Sequence, residues 1–134
     1  MTGEAKPFRM AQAAGSDWRE TLARCLAELP EGGGETLGFV YVGDAFAGDL
    51  AAIAETLREE TGVPDWLGTV GLGICATGQE YFDAPAIAVM LCDLPSGSYR
   101  IVETGETPGR ALDDAATAWS ETKRPPFGVV HVDP

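Results

Sequence analysis

Residues Trp66–Leu94 read WLGTVGLGICATGQEYFDAPAIAVMLCDL, the most informative stretch of the chain. An apolar run typical of a strand stands at each end, and glycines punctuate the segment between them. Glycine spacing of this kind marks either tight turns and close strand packing or a backbone that approaches a ligand. The stretch follows a strand, turn and helix pattern over 37–62, so we expect it to end a β-α-β unit. Open α/β sheets commonly bind ligands at that position.

Apolar periodicity places a helix and a strand earlier in the chain. Over Asp17–Leu29 apolar residues recur at helical spacing, and Asp17 with Glu20 makes a capping pair at the start. Leu37–Val42 is a nearly continuous apolar run, which is typical of a strand covered on both faces.

A second helix is predicted to begin within residues 44–49 and to end at Gly62, because glycine commonly terminates helices. This helix joins the first strand to a second one, Trp66–Ile74, and a helical crossover makes two such strands parallel. We expect the helix to pack on the sheet through Phe46, Leu50, Ile53 and Leu57.

Shorter connections join the later strands, which favours antiparallel pairing. These strands are predicted at Ala86–Cys92, Ser98–Val102 and Phe127–Val132, with a third helix from Thr107-Pro108 before the last one. The sequence therefore predicts a single α/β domain over 1–134. It has a mixed β-sheet of about five strands flanked by helices, in the order α-β-α-β-β-β-α-β. Residues 1–15 are predicted to be a flexible N-terminal segment.

Charge and composition argue against several classes of partner. The net charge is −12 and the cations are scattered, so no basic stripe is available for nucleic acid or an anionic membrane. No apolar run approaches the ~20 residues needed to cross a bilayer, and no signal peptide is recognisable. Three cysteines without CxxC spacing and one histidine indicate neither a disulfide framework nor a zinc site. These features predict an acidic, cytoplasmic protein.

The order of motifs resembles the N-terminal FIST domain, of the F-box and intracellular signal transduction family. The resemblance spans roughly Phe8–Pro134. It is carried by the apolar strand ending in Gly43-Asp44, the helix finishing in TGVP, the glycine-rich stretch and the closing FGVVHVDP. It implies a sensory or signalling module that binds a small ligand, with amino acids proposed and some members associated with haem. A complete member carries a further C-terminal FIST domain, so we expect this chain to be the front portion of one.

The candidate ligand site combines the end of the first strand with the glycine-rich loop. Asp44 ends a buried strand, where open α/β sheets present polar groups to ligands, and a helix cap is its alternative role. The acidic residues Asp44, Glu80 and Asp83 favour a ligand with an ammonium group over a phosphate. The glycines lack the lysine of a P-loop and open no helix as a dinucleotide fingerprint does. The predicted ligand-binding residues are Gly43, Asp44, Gly71, Gly73, Cys75, Thr77 and Gly78.

Cys75 and His131 each have a chemical and a structural interpretation. A nucleophilic thiol needs a nearby base or positive charge, and Glu80 and Asp83 supply the opposite, so a spectator role is favoured for Cys75. His131 lies in an apolar run, where a structural role is common. The family resemblance alone suggests an axial haem ligand there. No catalytic residue, metal site or cofactor is otherwise indicated.

The sequence thus predicts a small-ligand-binding sensory domain for signal transduction, with an amino acid or similar small polar metabolite as ligand. One alternative is an interaction module without a ligand. Another is a cysteine-dependent enzyme, against which the missing base argues. No sequence remains after Phe127–Val132 to cover that apolar run, so we expect a homodimer or pairing with a C-terminal region.

Overall fold

The structure, a computed structural model, describes residues 7–103, 105, 108–120 and 128–131. The chain divides into two compact units, Met1–Leu94 and Pro95–Pro134. The elements described in the first unit are, in chain order, β1 (Phe8–Ala14), α1 (Trp18–Ala27), β2 (Leu37–Gly43), a 3₁₀ helix (Asp44–Asp49), α2 (Leu50–Thr61), β3 (Asp65–Gly71), β4 (Gly73–Ala76), β5 (Gln79–Phe82) and β6 (Ala86–Cys92). The second unit contains α3 (Pro108–Ser120).

The first unit is built on a four-stranded mixed sheet with the strand order β1-β6-β2-β3. β2 and β3 are parallel, whereas β6 is antiparallel to both of its neighbours, β1 and β2. β4 and β5 form a separate antiparallel hairpin. The predicted α/β class, the mixed sheet and the parallel pairing across the first helical crossover are confirmed.

One face of the sheet is covered by α1 and α2, because alternate residues of its central strands are large and aliphatic. Val40, Val42, Ile87 and Val89 project into this core and are at most 2% exposed. The helices contribute fully buried side chains to it, among them Leu22, Ile53 and Leu57, and Phe46 of the 3₁₀ helix joins them. The predicted inner face of the second helix is confirmed, with Leu50 packed at the margin of the core.

Local signals at the helix ends agree with the sequence. The Asp17 carboxylate accepts hydrogen bonds from the backbone N–H groups of Arg19 and Glu20 at 2.9 and 3.0 Å, which caps the start of α1. Gly62 ends α2 in the left-handed conformation, at φ 70°. α1 is shorter than predicted and ends at Ala27, not Leu29.

The opposite face is covered in part by the β4–β5 hairpin, and the side chains there are small. Ile74 of β4 packs on Ala86 and Ala88 of β6, with Tyr41 and Tyr81 at the margins. Alanine side chains let a thin two-stranded ribbon approach the sheet closely. Two helices therefore pack on one face of the sheet over large aliphatic residues, whereas a hairpin packs on the other face over alanines.

The N-terminal segment departs from the prediction. Residues 1–15 were expected to be flexible, but Phe8–Ala14 forms β1 and pairs along its whole length with β6. The sequence signal is weak because the residues that β1 turns toward the helices are alanines, Ala11 and Ala13, while its large side chains are exposed. Small core residues give little hydrophobic contrast.

The predicted strand Trp66–Ile74 is two strands. β3 ends at Gly71, Leu72 is 87% exposed, and Gly73 begins β4 in the other sheet. The break is sharp, since a Cβ added at Gly71 would lie 2.8 Å from the carbonyl oxygen of Gly73. The second strand of that hairpin, β5, lies in a polar segment for which no strand was predicted.

The predicted strand Ser98–Val102 is wrong, because these residues adopt no regular secondary structure. A hairpin from β6 into this segment would need a free edge on β6. Both edges are already paired, one with β1 and one with β2. Of the predicted last strand, Phe127–Val132, residues 128–131 are irregular and the two end residues lie outside the described part. The predicted element order is corrected accordingly, while the third helix is confirmed as α3.

Candidate functional site

The carboxyl ends of the two parallel strands meet at one pair of glycines. Gly43, the last residue of β2, is in register with Gly71, the last residue of β3. Gly43 is buried, and a Cβ added there would lie 3.3 Å from both Ala84 O and Ala86 N. The chain that returns into β6 therefore passes directly over the end of β2.

Asp44 follows this pair and begins the 3₁₀ helix. Its side chain is exposed, and it makes no hydrogen bond or ion pair with any residue that the structure describes. It is not a helix cap, since Gly43 occupies the cap position of the 3₁₀ helix and Asp49 that of α2. The alternative role considered for Asp44 is thus excluded, and its carboxylate stays available to solvent.

A second carboxylate comes to the same end of the sheet. Phe82, the last residue of β5, is paired with Gly73, and the carbonyl oxygen of Ala84 lies beside Gly43. Asp83 stands between these two contacts, exposed, with φ 52°. The sequence showed Asp83 only as a nearby charge. The signal for its conformation is its residue type, because aspartate enters the left-handed region more readily than most residues.

The glycines of the loop are explained largely by close packing of the chain on itself. A Cβ at Gly73 would lie 3.1 Å from the Phe82 ring, and the contact at Gly71 is with backbone. Gly78 has open space around it but adopts φ 78° in the hairpin turn, a conformation that glycine reaches without steric cost. Of the two interpretations of this glycine pattern, tight turns and close strand packing account for these three positions.

Cys75 lies on the outer side of the hairpin. Ile74 points toward the sheet, so its neighbour Cys75 points away, and Cys75 is exposed opposite Glu80. The other two cysteines are buried in the first unit. Burial raises the pKa of the Cys25 thiol to about 12, and it also raises the pKa of Cys92. Cys75 is therefore the accessible thiol of the three, and its cross-strand neighbour is a carboxylate rather than a base.

The turn of the hairpin, Thr77-Gly78, is fastened to β1. The Thr77 hydroxyl donates a hydrogen bond to Met10 Sδ at 3.0 Å. The backbone carbonyl oxygen of Thr77 accepts a hydrogen bond from Gln12 Nε2 at 3.4 Å. β1 and β3 are at opposite edges of the sheet, three strand spacings or about 14 Å apart. The seven predicted ligand residues therefore separate into two groups. One group lies at the carboxyl ends of β2 and β3 and consists of Gly43, Asp44, Gly71 and Gly73. The other group, Thr77 and Gly78, lies near β1 at the opposite edge of the sheet. Cys75 lies between the two groups.

A pocket of about 600 Å³ lies elsewhere, between α1 with the turn that follows it, the end of α2, and Arg9 of β1 and Leu91 of β6. Its one cationic side chain, Arg9, is already engaged: Arg9 Nε donates to Glu35 Oε1 at 2.5 Å, and the guanidinium also donates to the Pro30 carbonyl oxygen. A second pocket, with Leu26 and Glu60 in common with the first, continues between the two helices. Sequence patterns gave no indication of this groove.

The family model of the FIST N domain matches residues 36–134, which is most of the chain. The chain belongs to this family. The matched part runs from just before β2 to beyond α3, so β1 and α1 precede it even though β1 is an integral strand of the sheet. No curated protein and no solved structure matches the chain.

The FIST N domain is associated with signal transduction, which agrees with the resemblance seen in the sequence. Within the described residues, no group of three or more His, Cys, Asp or Glu side chains is arranged to hold a metal ion. The helices of that same part are all too short or too polar to cross a membrane. His131 lies in the second unit and has an interaction partner.

Proposed function

We propose that this FIST N domain is a sensory module that binds a small polar metabolite with an ammonium group, such as an amino acid. The site lies at the carboxyl ends of β2 and β3. The observation that carries the proposal is the exposed, unpaired carboxylate of Asp44, placed directly after the buried Gly43, which is in register with Gly71. Ligands of open α/β sheets bind at this end of the strands.

The charge distribution supports a cationic group on the ligand. Asp44 and Asp83 place two carboxylates at this end of the sheet. Three of the cations described in the first unit are engaged elsewhere: Arg9 with Glu35, Arg24 with the Ala14 carbonyl, and Arg19 over the Trp18 ring. The fourth, Arg58, lies in the last turn of α2, which leads to the start of β3 rather than to its end. Among the described residues of the first unit, a phosphate at this site would meet negative charge and no counter-ion.

A cysteine-dependent enzyme is not supported by the geometry. Cys75 faces outward across from Glu80, and thiol nucleophiles need a base or a positive charge beside them. We therefore assign Cys75, Thr77 and Gly78 no part in the proposed site, which consists of Gly43, Asp44, Gly71 and Gly73, with Asp83 beside them.

Thermal unfolding with a panel of amino acids tests the proposal, because a ligand of the native state raises the melting temperature. At about one hundred times Kd the shift for a domain of this size is on the order of 10 °C. We expect the N-acetylated form of the same amino acid, which has no ammonium group, to give no shift.

Two variants locate the site. Asp44→Asn should abolish the ligand-induced shift, whereas Asp49→Asn, at the other end of the same 3₁₀ helix, should retain it. Both remove one negative charge, so the pair separates a local contact from a general effect of charge. If the acetylated amino acid stabilised the protein equally well, or both variants lost the shift together, the assignment would be contradicted.

A further inference from the structure

β1 is an edge strand whose free side is identified by its hydrogen bonds. The flanking backbone bonds run from Asp93 N to Pro7 O and from Gly15 N to Pro85 O, in line with the β1–β6 register. In an antiparallel ladder hydrogen-bonded pairs alternate, so the odd-numbered residues of β1 bond to β6. The peptide groups of the even-numbered residues Phe8, Met10 and Gln12 therefore point away from the sheet. Within the described part of the chain they have no partner.

This edge lacks the usual protection against pairing. Natural edge strands carry lysines, internal prolines or bulges that discourage another strand from adding. Here the ladder is regular from Phe8 to Ala14, without a bulge or an internal proline. Its large apolar side chains are exposed, Phe8 by 51% and Met10 by 41%, on the same face of the sheet.

The charge of this edge also permits contact between two copies. The whole protein has a net charge of −12, yet residues 7–16 contain no carboxylate. The one charged residue in the strand, Arg9, is neutralised by Glu35 and lies on the helix-covered face. A contact through this strand therefore brings no carboxylates of residues 7–16 together, and carboxylates outside the contact are screened beyond ~8 Å at physiological salt.

We propose that β1 pairs antiparallel with β1 of a second copy of this chain, about a two-fold axis at Met10. In this register Met10 faces Met10 of the partner subunit, and Phe8 faces Gln12 of the partner subunit. All three pairs are hydrogen-bonded pairs, and each exchanges two bonds, so the six free N–H and C=O groups of each copy are all satisfied. The two sheets become one continuous sheet of eight strands.

The register is specific to a two-fold pairing of this strand. The free residues 8, 10 and 12 are symmetric about Met10, so a copy related by a two-fold axis satisfies every one. Ala14 falls outside the pairing: its carbonyl oxygen already accepts a hydrogen bond from Arg24, and its outward N–H takes no part in the contact. Pro7 has no N–H, but as an odd-numbered residue it faces β6 and contributes no hydrogen bond to the pairing edge. On the hairpin-covered face, Phe8 becomes buried against Gln12 of the partner subunit, and Met10 becomes buried against Met10 of the partner subunit.

Sedimentation velocity across a concentration series tests this interface with a matched pair of variants. Phe8→Lys places a charge in the pairing edge, and because the interface is symmetric it does so twice. Phe82→Lys makes the same exchange at a phenylalanine of the hairpin that is also exposed, by 69%, and lies outside the edge. We expect the wild type and Phe82→Lys to dimerise alike, and Phe8→Lys to raise the dimer Kd at least ~tenfold. Circular dichroism and the melting temperature check that both variants fold.

Mixing two charged variants tests the register. In Met10→Lys alone and in Met10→Glu alone, like charges face each other across the axis and weaken the dimer. In an equimolar mixture lysine faces glutamate, and dimers should form with a Kd at least ~tenfold below that of either variant. A dimer that Phe8→Lys and both Met10 variants leave intact would overturn the proposed interface. A wild type that stays monomeric at high concentration would also overturn it, and would leave an extended peptide as the occupant of the edge.

Discussion

The two faces of the four-stranded sheet are covered in different ways. On one face, α1 and α2 bury large aliphatic side chains, and several of these, such as Ile53 and Leu57, are completely inaccessible. On the other face, a two-residue-turn hairpin lies on alanines and is held at its far end by contacts of Thr77 with Met10 and Gln12. The first cover buries much apolar area, whereas the second buries little.

The difference separates stability from recognition. Burial of apolar area is the main source of folding free energy, so the helix face carries most of it. The hairpin side holds the exposed and chemically varied groups, including Asp83, Cys75 and Phe82. Elements with few buried contacts open locally more easily, which suits a surface that responds to a ligand.

Truncating one side chain on each face gives the largest effect and tests the comparison directly. Leu57→Ala removes a fully buried side chain between helix and sheet and should cost about 3–4 kcal/mol of unfolding free energy. Ile74→Ala should cost about 2 kcal/mol, because the hairpin can settle into the space. Urea unfolding measures both. An equal or larger loss in Ile74→Ala would show that the hairpin face contributes as much as the helix face.

A change in the hairpin turn should have a smaller and local effect. Gly78→Ala forces a side chain into φ 78° and should cost about 1–2 kcal/mol, expressed mainly as faster hydrogen exchange in β4 and β5. Gly48→Ala is the control, since Gly48 has open space and no positive φ. If exchange accelerated across α1 and α2 as well, the hairpin would not be an independent cover.

The smallest expected effect concerns Arg9 and Glu35, at the end of the sheet away from Asp44. The hydrogen bond from Arg9 holds the pKa of the Glu35 carboxyl below its usual range. Its stabilisation is therefore present above the unfolded pKa, ~4.3, and is lost as the pH falls through the lower pKa of the folded state. Glu35→Gln should cost less than ~1 kcal/mol at pH 7 and nothing in strong acid. The midpoint of urea unfolding, measured at several pH values, tests this prediction, and Glu31→Gln is the surface control. A loss of unfolding free energy in Glu35→Gln that did not change with pH would contradict the pairing of Glu35 with Arg9.

The central elements were predictable because their burial leaves a strong pattern. β2 and β6 are nearly continuous apolar runs, α2 has a clear inner face, and a helical crossover makes β2 and β3 parallel. β1 was missed because it buries alanines, and the pairing of β6 on both edges, which excludes the strand predicted at Ser98–Val102, depends on β1. Long-range pairing of this kind is not encoded in local periodicity.

The sequence predicted which strand ends form the candidate site, but not which residues of the glycine-rich loop lie close to them. The strand end at Gly43-Asp44 and the glycines at 71 and 73 are local features, and the structure brings them together. Thr77 and Gly78 are close to them in sequence but lie across the sheet, because the hairpin runs over its face to β1. Sequence proximity within a glycine-rich loop gave no measure of that distance.

Backbone amide shifts in a ¹⁵N-labelled sample, recorded during titration with the amino acid that raises the melting temperature most, test the proposed site most directly. We predict that the resonances of Gly43, Asp44, Gly71 and Asp83 move with a common saturation curve, while those of Gly48 and Gly62 stay in place. Shifts centred instead on Leu26 and Glu60, in the groove between α1 and α2, would contradict binding at the carboxyl ends of β2 and β3.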